Sequence, residues 1–512
     1  MVFLIIMDID QQYEHKSTHL YSVRDILSRV YIQFILIFLI HLVVAVYYKE
    51  VVGLNITANP GGRGWDWFWQ TIPEEYLRTQ TLLSIWYLHA QPPLFNLFGA
   101  FFIKYFSPNF LEYMQYANIL LGSLISGMVY VILFQFTKSK PFSFLAAIFL
   151  ALNPSLFLYE AYILYDILTA FLVIMGVFLL ALHSFKPRPI YLYLFILSIN
   201  LLVLTRSLYH IIFLLVGILI AVILSGQRWK KVLLVAVLLC IPSFVWYAKN
   251  YYIFGFFGAS SWDGLSLWKV ASFGYTKEQL EQLVQKNVLD PVVVEVDVFS
   301  EPSKYRDYGF TKTSDIQELS QDDYNNINVI DISKVYKANS LHLIRYDPGK
   351  YLHTIFDAYE RFSRPSSQFK HHVINVARMY YHERLYSQIF EGQILSRWVD
   401  FPFGSLSFFI VPISLLLFIM LPLLKFGFSP GKWIDYIKLD MPAIYTAILI
   451  IFTTLVGSML EYGENVRYKF IIEQLIWVFA LSIVYRYILY FKYRIPQFMR
   501  SRNINKLSED TI

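Results

Sequence analysis

One cysteine, Cys240, stands in 512 residues, inside an apolar run, and this excludes a disulfide framework. Charge is nearly as scarce. Only 16% of the residues are charged, against about a quarter in soluble domains, while 56% are hydrophobic and 18% aromatic, so the chain is an integral membrane protein. The sequence also lacks a P-loop, a dinucleotide fingerprint, an HExxH helix and a GxSxG elbow with triad context. Nucleotide hydrolysis, hydride transfer and serine chemistry therefore have no support. His371 and His372 are adjacent, a spacing that does not put two imidazoles on one helix face, so no metal site is read and a divalent cation is left open as a cofactor. No inverted repeat of the transporter kind stands out.

The net charge of +6 comes from short Lys and Arg clusters between apolar runs. Such clusters mark cytoplasmic loops and not nucleic acid binding. Stretches that can cross a bilayer of about 30 Å lie near 31–48, 112–136, 142–158, 166–184, 189–205, 211–226, 232–248, 404–424, 441–459 and 470–490. Residues 93–106 are too short and open on two prolines, and are read as a helix in or dipping into the interface. With that reading Lys138/Lys140, Lys186/Arg188, Arg228/Lys230/Lys231, Lys425/Lys432/Lys438 and Lys492/Arg494/Arg500/Arg502 all fall on one side, as the positive-inside rule requires.

The expected architecture is an all-α polytopic membrane protein of about ten spans with a mainly helical soluble domain on the outer face. Residues 1–30, with Asp8, Asp10, Glu14 and Asp25, read as a cytoplasmic tail and not a removable signal peptide. The module 31–248 carries a first outer loop at 49–111. Residues 249–403 have soluble composition and are expected outside, 404–490 hold the last spans, and 491–512 form a basic cytoplasmic tail.

The candidate chemistry sits in the outer loops. Asp66 lies among Trp65, Trp67, Phe68 and Trp69, a setting that would desolvate a carboxylate and suit it to general-base work; the alternative is an interfacial tryptophan belt with Asp66 as a solvated acid. His89 precedes Gln91, Pro92 and Pro93, where an imidazole can donate to a phosphate or serve as a local cap. Glu160 and Asp166 stand six apart at a membrane edge, and Asp166 also suits a helix start. Arg206 is the only cation in its short outer loop and breaks the charge pattern of the other loops. It needs an anion, either Glu160 or Asp166 or a ligand phosphate. Near the C-terminus EYGENVRYKFIIEQ places Glu461, Glu464, Arg467 and Lys469 between two membrane-length runs, and ionisable groups against a bilayer are read as functional.

The first-loop acid, the His-x-Gln-Pro-Pro-Leu stretch at 89–94, the Glu160 and Asp166 pair and GENVRYKFIIEQ together resemble the GT-C membrane glycosyltransferases. The resemblance is to the branch of protein O-mannosyltransferases and the lipid A aminoarabinose transferase. FVWYAKNYYIFGFFGASSWDGLSLW is similar to the stretch by which bacterial members pass into their outer domain, and the likeness covers most of 31–270 and 440–490 and leaves the outer domain unassigned. It implies a polyprenyl-phosphate-linked sugar donor and an acid that deprotonates the acceptor. Carried over by position, that base is Asp66, the second-loop acid is Asp166, and Glu160 joins the catalytic set. Gln91 stands where better-known branches have Lys or His, so the donor phosphate must meet His89, Arg206 or Arg467, with Gln91 and Glu464 as further substrate contacts.

Displacing a lipid phosphate from a sugar carbon needs a carboxylate and cations, and a single displacement inverts that carbon. The expected activity is sugar transfer to a lipid, glycan or protein hydroxyl at the outer face. The expected location is a multi-pass protein of the bacterial plasma membrane and cell envelope, or the endoplasmic reticulum in a eukaryote, with membrane lipids as neighbours. The rivals are a transporter or flippase of lipid-linked substrates and a polysaccharide polymerase or ligase.

Overall fold

The computed structural model describes residues 23–56, 64–390, 407–427, 429, 431, 436–438 and 440–509. Among them every regular element is a helix. Seven are long and apolar enough to cross a bilayer, and the bent pair Lys140–Ala151 and Pro154–Glu160 makes an eighth. One of the seven, Ile211–Phe254, has 44 residues, or about 66 Å of helix, twice a bilayer core. It breaks at Gly226–Arg228 and its halves pack on each other, so it is a hairpin of two spans. Pro189–Val203 is short at 15 residues but lies inside the bundle, against Asp166–Phe185 and both hairpin arms. The extra arm and this helix take eight to about ten, the architecture expected from the apolar runs.

Two helices form the centre of the bundle. The apolar windows of Phe110–Thr137 and Asp166–Phe185 are 83% and 78% buried, whereas that of Val30–Val52 is 33% buried and faces outward. The bend of 47° between Ala151 and Pro154 has a local cause. Asn153 caps the second helix by accepting the Ser155 N–H at 2.9 Å, and Pro154, which suits a first helical turn and not an interior, starts a new helix.

The stretch read as an interfacial helix is Leu94–Tyr105, which buries Phe95, Asn96, Gly99, Ala100, Phe102 and Ile103. In the soluble region Lys277–Gln285 opens on a capping box made by Thr276 and Gln279. Asp263–Ser272 crosses Asn328–Tyr346 so closely that a Cβ on Gly264 would lie 1.8 Å from the Ser333 carbonyl oxygen. Only glycine permits that crossing. Pro348–Ser363 then packs on both Met441–Leu460 and the helix that starts at Asn465, which seats the soluble region on one end of the bundle. The last helix runs Asn465–Glu509, so the segment expected as a basic tail from 491 continues as helix. The first part of the N-terminal tail, through residue 22, and 391–403 of the soluble region lie outside the described residues.

Candidate active site

Three charged side chains meet where the loops gather at that end of the bundle. Asp166 opens the central helix Asp166–Phe185, where a negative charge complements the helix dipole. Arg206 comes from the turn after Pro189–Val203, and Arg467 from the first turn of the last helix. All three are buried, at 0%, 3% and 2% exposure. Arg206 Nη1 donates to Asp166 Oδ1 at 2.8 Å, and Arg467 Nε donates to both carboxylate oxygens at 2.9 Å. Arg467 Nη1 reaches Glu464 Oε2 at 3.1 Å, but its Nη2 is buried without a partner. The aromatic faces of Tyr468 and Tyr165 lie 4.3 and 4.9 Å from the guanidinium carbons of Arg206 and Arg467 and hold both planes in place.

Both arginines line a cavity of about 840 Å³. Its other cations, Lys269, Lys337 and Lys370, all come from the soluble region. Lys337 pairs with Asp263 at 2.5 Å, Lys370 with Glu464 at 3.3 Å, and Lys269 with Glu461. Burial works against ionising Glu464, but Arg467, Lys269 and Lys370 hold its carboxyl down at about 2. Five cations thus face four acids, counting Asp166. At one side Ile212, Phe452, Val456 and Leu460 line the cavity, and Ile212 and Leu460 are 63% and 42% exposed on the apolar surface of the bundle. The cavity is therefore cationic at its head and opens between two spans.

Of the residues expected in the site, Arg206, Arg467, Gln91 and Glu464 line this cavity, and Asp166 holds the two arginines from behind. Asp66 lies next door. It sits on the turn Gly64–Trp67, accepts the Glu74 N–H at 2.7 Å, and lines a cavity of about 200 Å³ that shares Phe68, Trp69 and Gln70 with the large one. Its side chain is exposed by surface area, yet the groups packed around it partly desolvate the carboxyl and push it above the ordinary aspartate range, only partly offset by the Glu74 N–H.

Glu160 and His89 are not brought to the cavity. Glu160 Oε1 lies 2.7 Å from His41 Nε2, and His41 Nδ1 lies 2.7 Å from the Ala151 carbonyl. A carbonyl only accepts, so Nδ1 carries a hydrogen and the Nε2–carboxylate contact shares one proton. Gly122 makes room for this pair, since a Cβ there would lie 1.9 Å from Glu160 Oε1. The expected catalytic acid thus belongs to a buried polar link between three helices. His89 is 0% exposed, with Nε2 donating to the Asn325 carbonyl and Nδ1 accepting from Ser261, both at 2.8 Å. Burial takes its imidazole down to about 3. A neutral ring locked to the soluble region does not supply the cation a phosphate needs, so the expected phosphate contact at His89 is replaced by a structural one.

The sequence reading missed His41, Lys269, Lys337 and Lys370. It also missed His371 as a cavity residue: its ring lies edge-on to Trp67 at 5.0 Å and burial lowers its pKa, so it faces the cavity neutral. A histidine at the centre of a first apolar span was the one available signal for His41. Among the described residues no group of three or more His, Cys, Asp and Glu side chains is arranged to hold a metal ion.

Residues 77–258 match the family model for dolichyl-phosphate-mannose-protein mannosyltransferase. No curated protein and no solved structure matches the chain. The resemblance to GT-C membrane glycosyltransferases of the O-mannosyltransferase branch is thereby shown over the module that carries Gln91, Asp166 and Arg206. The match covers little more than a third of the chain, and it is a likeness to that family over the stretch that carries Gln91, Asp166 and Arg206.

Proposed function

We propose that this protein transfers one sugar from a polyprenyl-phosphate donor to an acceptor hydroxyl at the outer face of the membrane, with inversion. The observation that carries this reading is the pair of guanidiniums, Arg206 and Arg467, that share one carboxylate at the wall of the large cavity, with Arg467 Nη2 buried beneath that wall and unpartnered. Asp166 fixes both arginines and Glu464 pairs with Arg467, but the five cations around the cavity still exceed the four acids, so a phosphate completes the set. The lipid chain leaves between the spans that carry Ile212 and Leu460. The sugar reaches toward the wall of Phe68, Trp69 and Gln70, with Gln91 beside it. Asp66 takes the acceptor proton as the acceptor oxygen bonds to the anomeric carbon. The bond from that carbon to the phosphate oxygen breaks, and its electron pair leaves with the polyprenyl phosphate.

In this reading Asp166 positions the arginines and does not act on the substrate. The module 31–248 and the spans in 404–490 hold the donor, and 249–403 is an extracytoplasmic domain that closes the site with Lys269, Lys337 and Lys370. A flippase needs its charges along a path through the bilayer, whereas the charges here crowd at one end of the bundle.

The direct test is lipid mass spectrometry on the purified protein, which is expected to detect a co-purified polyprenyl monophosphate carrying one sugar. A lipid diphosphate bearing an oligosaccharide would replace this reading with that of a polymerase or ligase. The face is tested separately. Ser320→Cys in a Cys240→Ala background is exposed and is expected to react with an impermeant thiol reagent in intact cells. Reaction only after permeabilisation would put the site on the cytoplasmic side.

A further inference from the structure

The two adjoining cavities have opposite charge. The larger sets Arg206, Arg467 and three lysines against Asp263, Glu461 and Glu464, a net positive lining; the smaller is lined by Asp66, Glu301, Glu318, Asp322 and Asp323, and no Lys, Arg or His lines it. Glu318 is the informative member, because its burial and its partners do not match. It is 6% exposed, and one carboxylate oxygen lies 3.4 Å from the Ser84 hydroxyl, whose oxygen also lies 3.2 Å from the Gln80 carbonyl, so its single proton serves one of the two. Among the described residues nothing donates to the other oxygen and no cation pairs with it. That oxygen is open to the cavity, so a cationic ligand there would meet a carboxylate with no counter-ion of its own. Asp323 stands close by, raised by burial although the Asn325 N–H donates to it at 2.8 Å.

The remaining walls suit a ring. Trp69 and Tyr324 lie 3.2 Å apart between ring centroids and both face the small cavity, with Gln70 and Asn325 as polar neighbours. An apolar surface with a few placed polar groups is how proteins hold small polar molecules.

We propose that the small cavity is the acceptor subsite and that the acceptor unit is an ammonium-bearing sugar ring. Its ammonium lies against Glu318 and Asp323, its ring against Trp69 and Tyr324, and its hydroxyl at Asp66. This rests on the reading of the protein as a transferase with Asp66 as base. The volume of about 200 Å³ suits one ring and not a folded peptide segment.

The test uses the full-length protein in detergent, without donor, titrated with methyl 2-amino-2-deoxyglucoside, its N-acetyl counterpart and methyl glucoside. The amine is expected to bind at least about tenfold more tightly than either neutral probe, and the preference is expected to vanish in Glu318→Gln. Asp322→Asn, at the exposed rim where Arg306 lies 3.9 Å away, reads the same preference at a solvated position and is expected to reduce it. Equal affinity for the three probes, or an undiminished preference in both variants, would overturn the proposal. So would a lysine- and serine-containing peptide that displaces the amino sugar, since that makes the site a peptide groove. Donor binding measured on the same sample separates the two readings: a protein that binds polyprenyl-phosphate mannose but shows no amine preference refutes this inference and leaves the transferase standing.

Discussion

Arg467→Ala is expected to weaken donor binding by about 1.5–3 kcal/mol, roughly ten- to hundredfold in Kd, because it removes one of the two guanidiniums that line the cavity. Titration of the purified variant with a polyprenyl-phosphate sugar, followed by tryptophan fluorescence, measures it; Trp67, Trp69 and Trp262 all line the cavity. Arg467→Lys is expected to recover only part of the loss. A point charge cannot reach Asp166, Glu464 and a phosphate at once, as the planar fork does. Asp166→Asn separates binding from structure. It leaves two buried guanidiniums with one carboxylate fewer, so the resting protein loses stability, about 3–5 kcal/mol for a broken buried pair. Bound donor phosphate then supplies the missing charge, so added donor should raise the unfolding temperature of Asp166→Asn by more than that of the unaltered protein. A folded Arg467→Ala protein that binds donor normally would reduce the cluster to a structural clasp.

The sequence already showed that Arg206 needed an anion, because it broke a charge pattern that other loops obeyed. It could not show which anion. Glu160 and Asp166 both flank the same short loop, and the choice between them depends on how the bent pair Lys140–Ala151 and Pro154–Glu160 is turned. The bend at Asn153–Pro154 carries Glu160 inward against Gly122 and His41, leaving Asp166 to the arginines. The spans were legible for a simpler reason: length and apolarity are properties of each segment alone. Lys269 and Lys337 were not, because they sit on amphipathic helices that look like any solvated face, nor was Lys370, which opens the short turn Lys370–His372. Only the crossing at Gly264 turns Asp263 and Lys269 from one helix, and Lys337 from the other, into the same cavity. His89 misled in the opposite direction. Its position before the double proline suggested a ligand, but a neutral ring between Ser261 and Asn325 fastens two parts of the chain.

Segregated charge also fits the order of the chemistry. In the proposed reaction an anionic donor is drawn to the cationic cavity, and the acids of the smaller one stand behind the shared wall of Phe68, Trp69 and Gln70, where the acceptor would be deprotonated. Were the carboxylate of the base among the arginines, ion pairing would lower its pKa and weaken it as a base. Asp66 avoids that by lying in the other cavity.

Asp66→Asn is therefore expected to cut turnover by at least about a hundredfold while leaving expression and donor affinity intact, the loss typical of a missing general base. The fold is spared because asparagine keeps the Oδ1 that accepts the Glu74 N–H. Donor affinity is spared because Asp66 does not line the cavity of the arginines. The pH profile gives an independent signature. Partial desolvation raises the Asp66 carboxyl above the ordinary value of 3.8, so the basic form is lost earlier on acidification and the acid limb of kcat/KM lies above that of an ordinary aspartate. Residual transfer by the asparagine variant should lack that limb. Glu74→Gln is the control: its side chain pairs with Arg78, and its nearby charge adds to the rise of Asp66. Turnover in that variant should stay near normal while the acid limb moves to lower pH. Near-normal transfer by Asp66→Asn, or an acid limb that Glu74→Gln does not move, would take Asp66 out of the mechanism and leave His371, the neutral base in the cavity of the arginines, as the next residue to test.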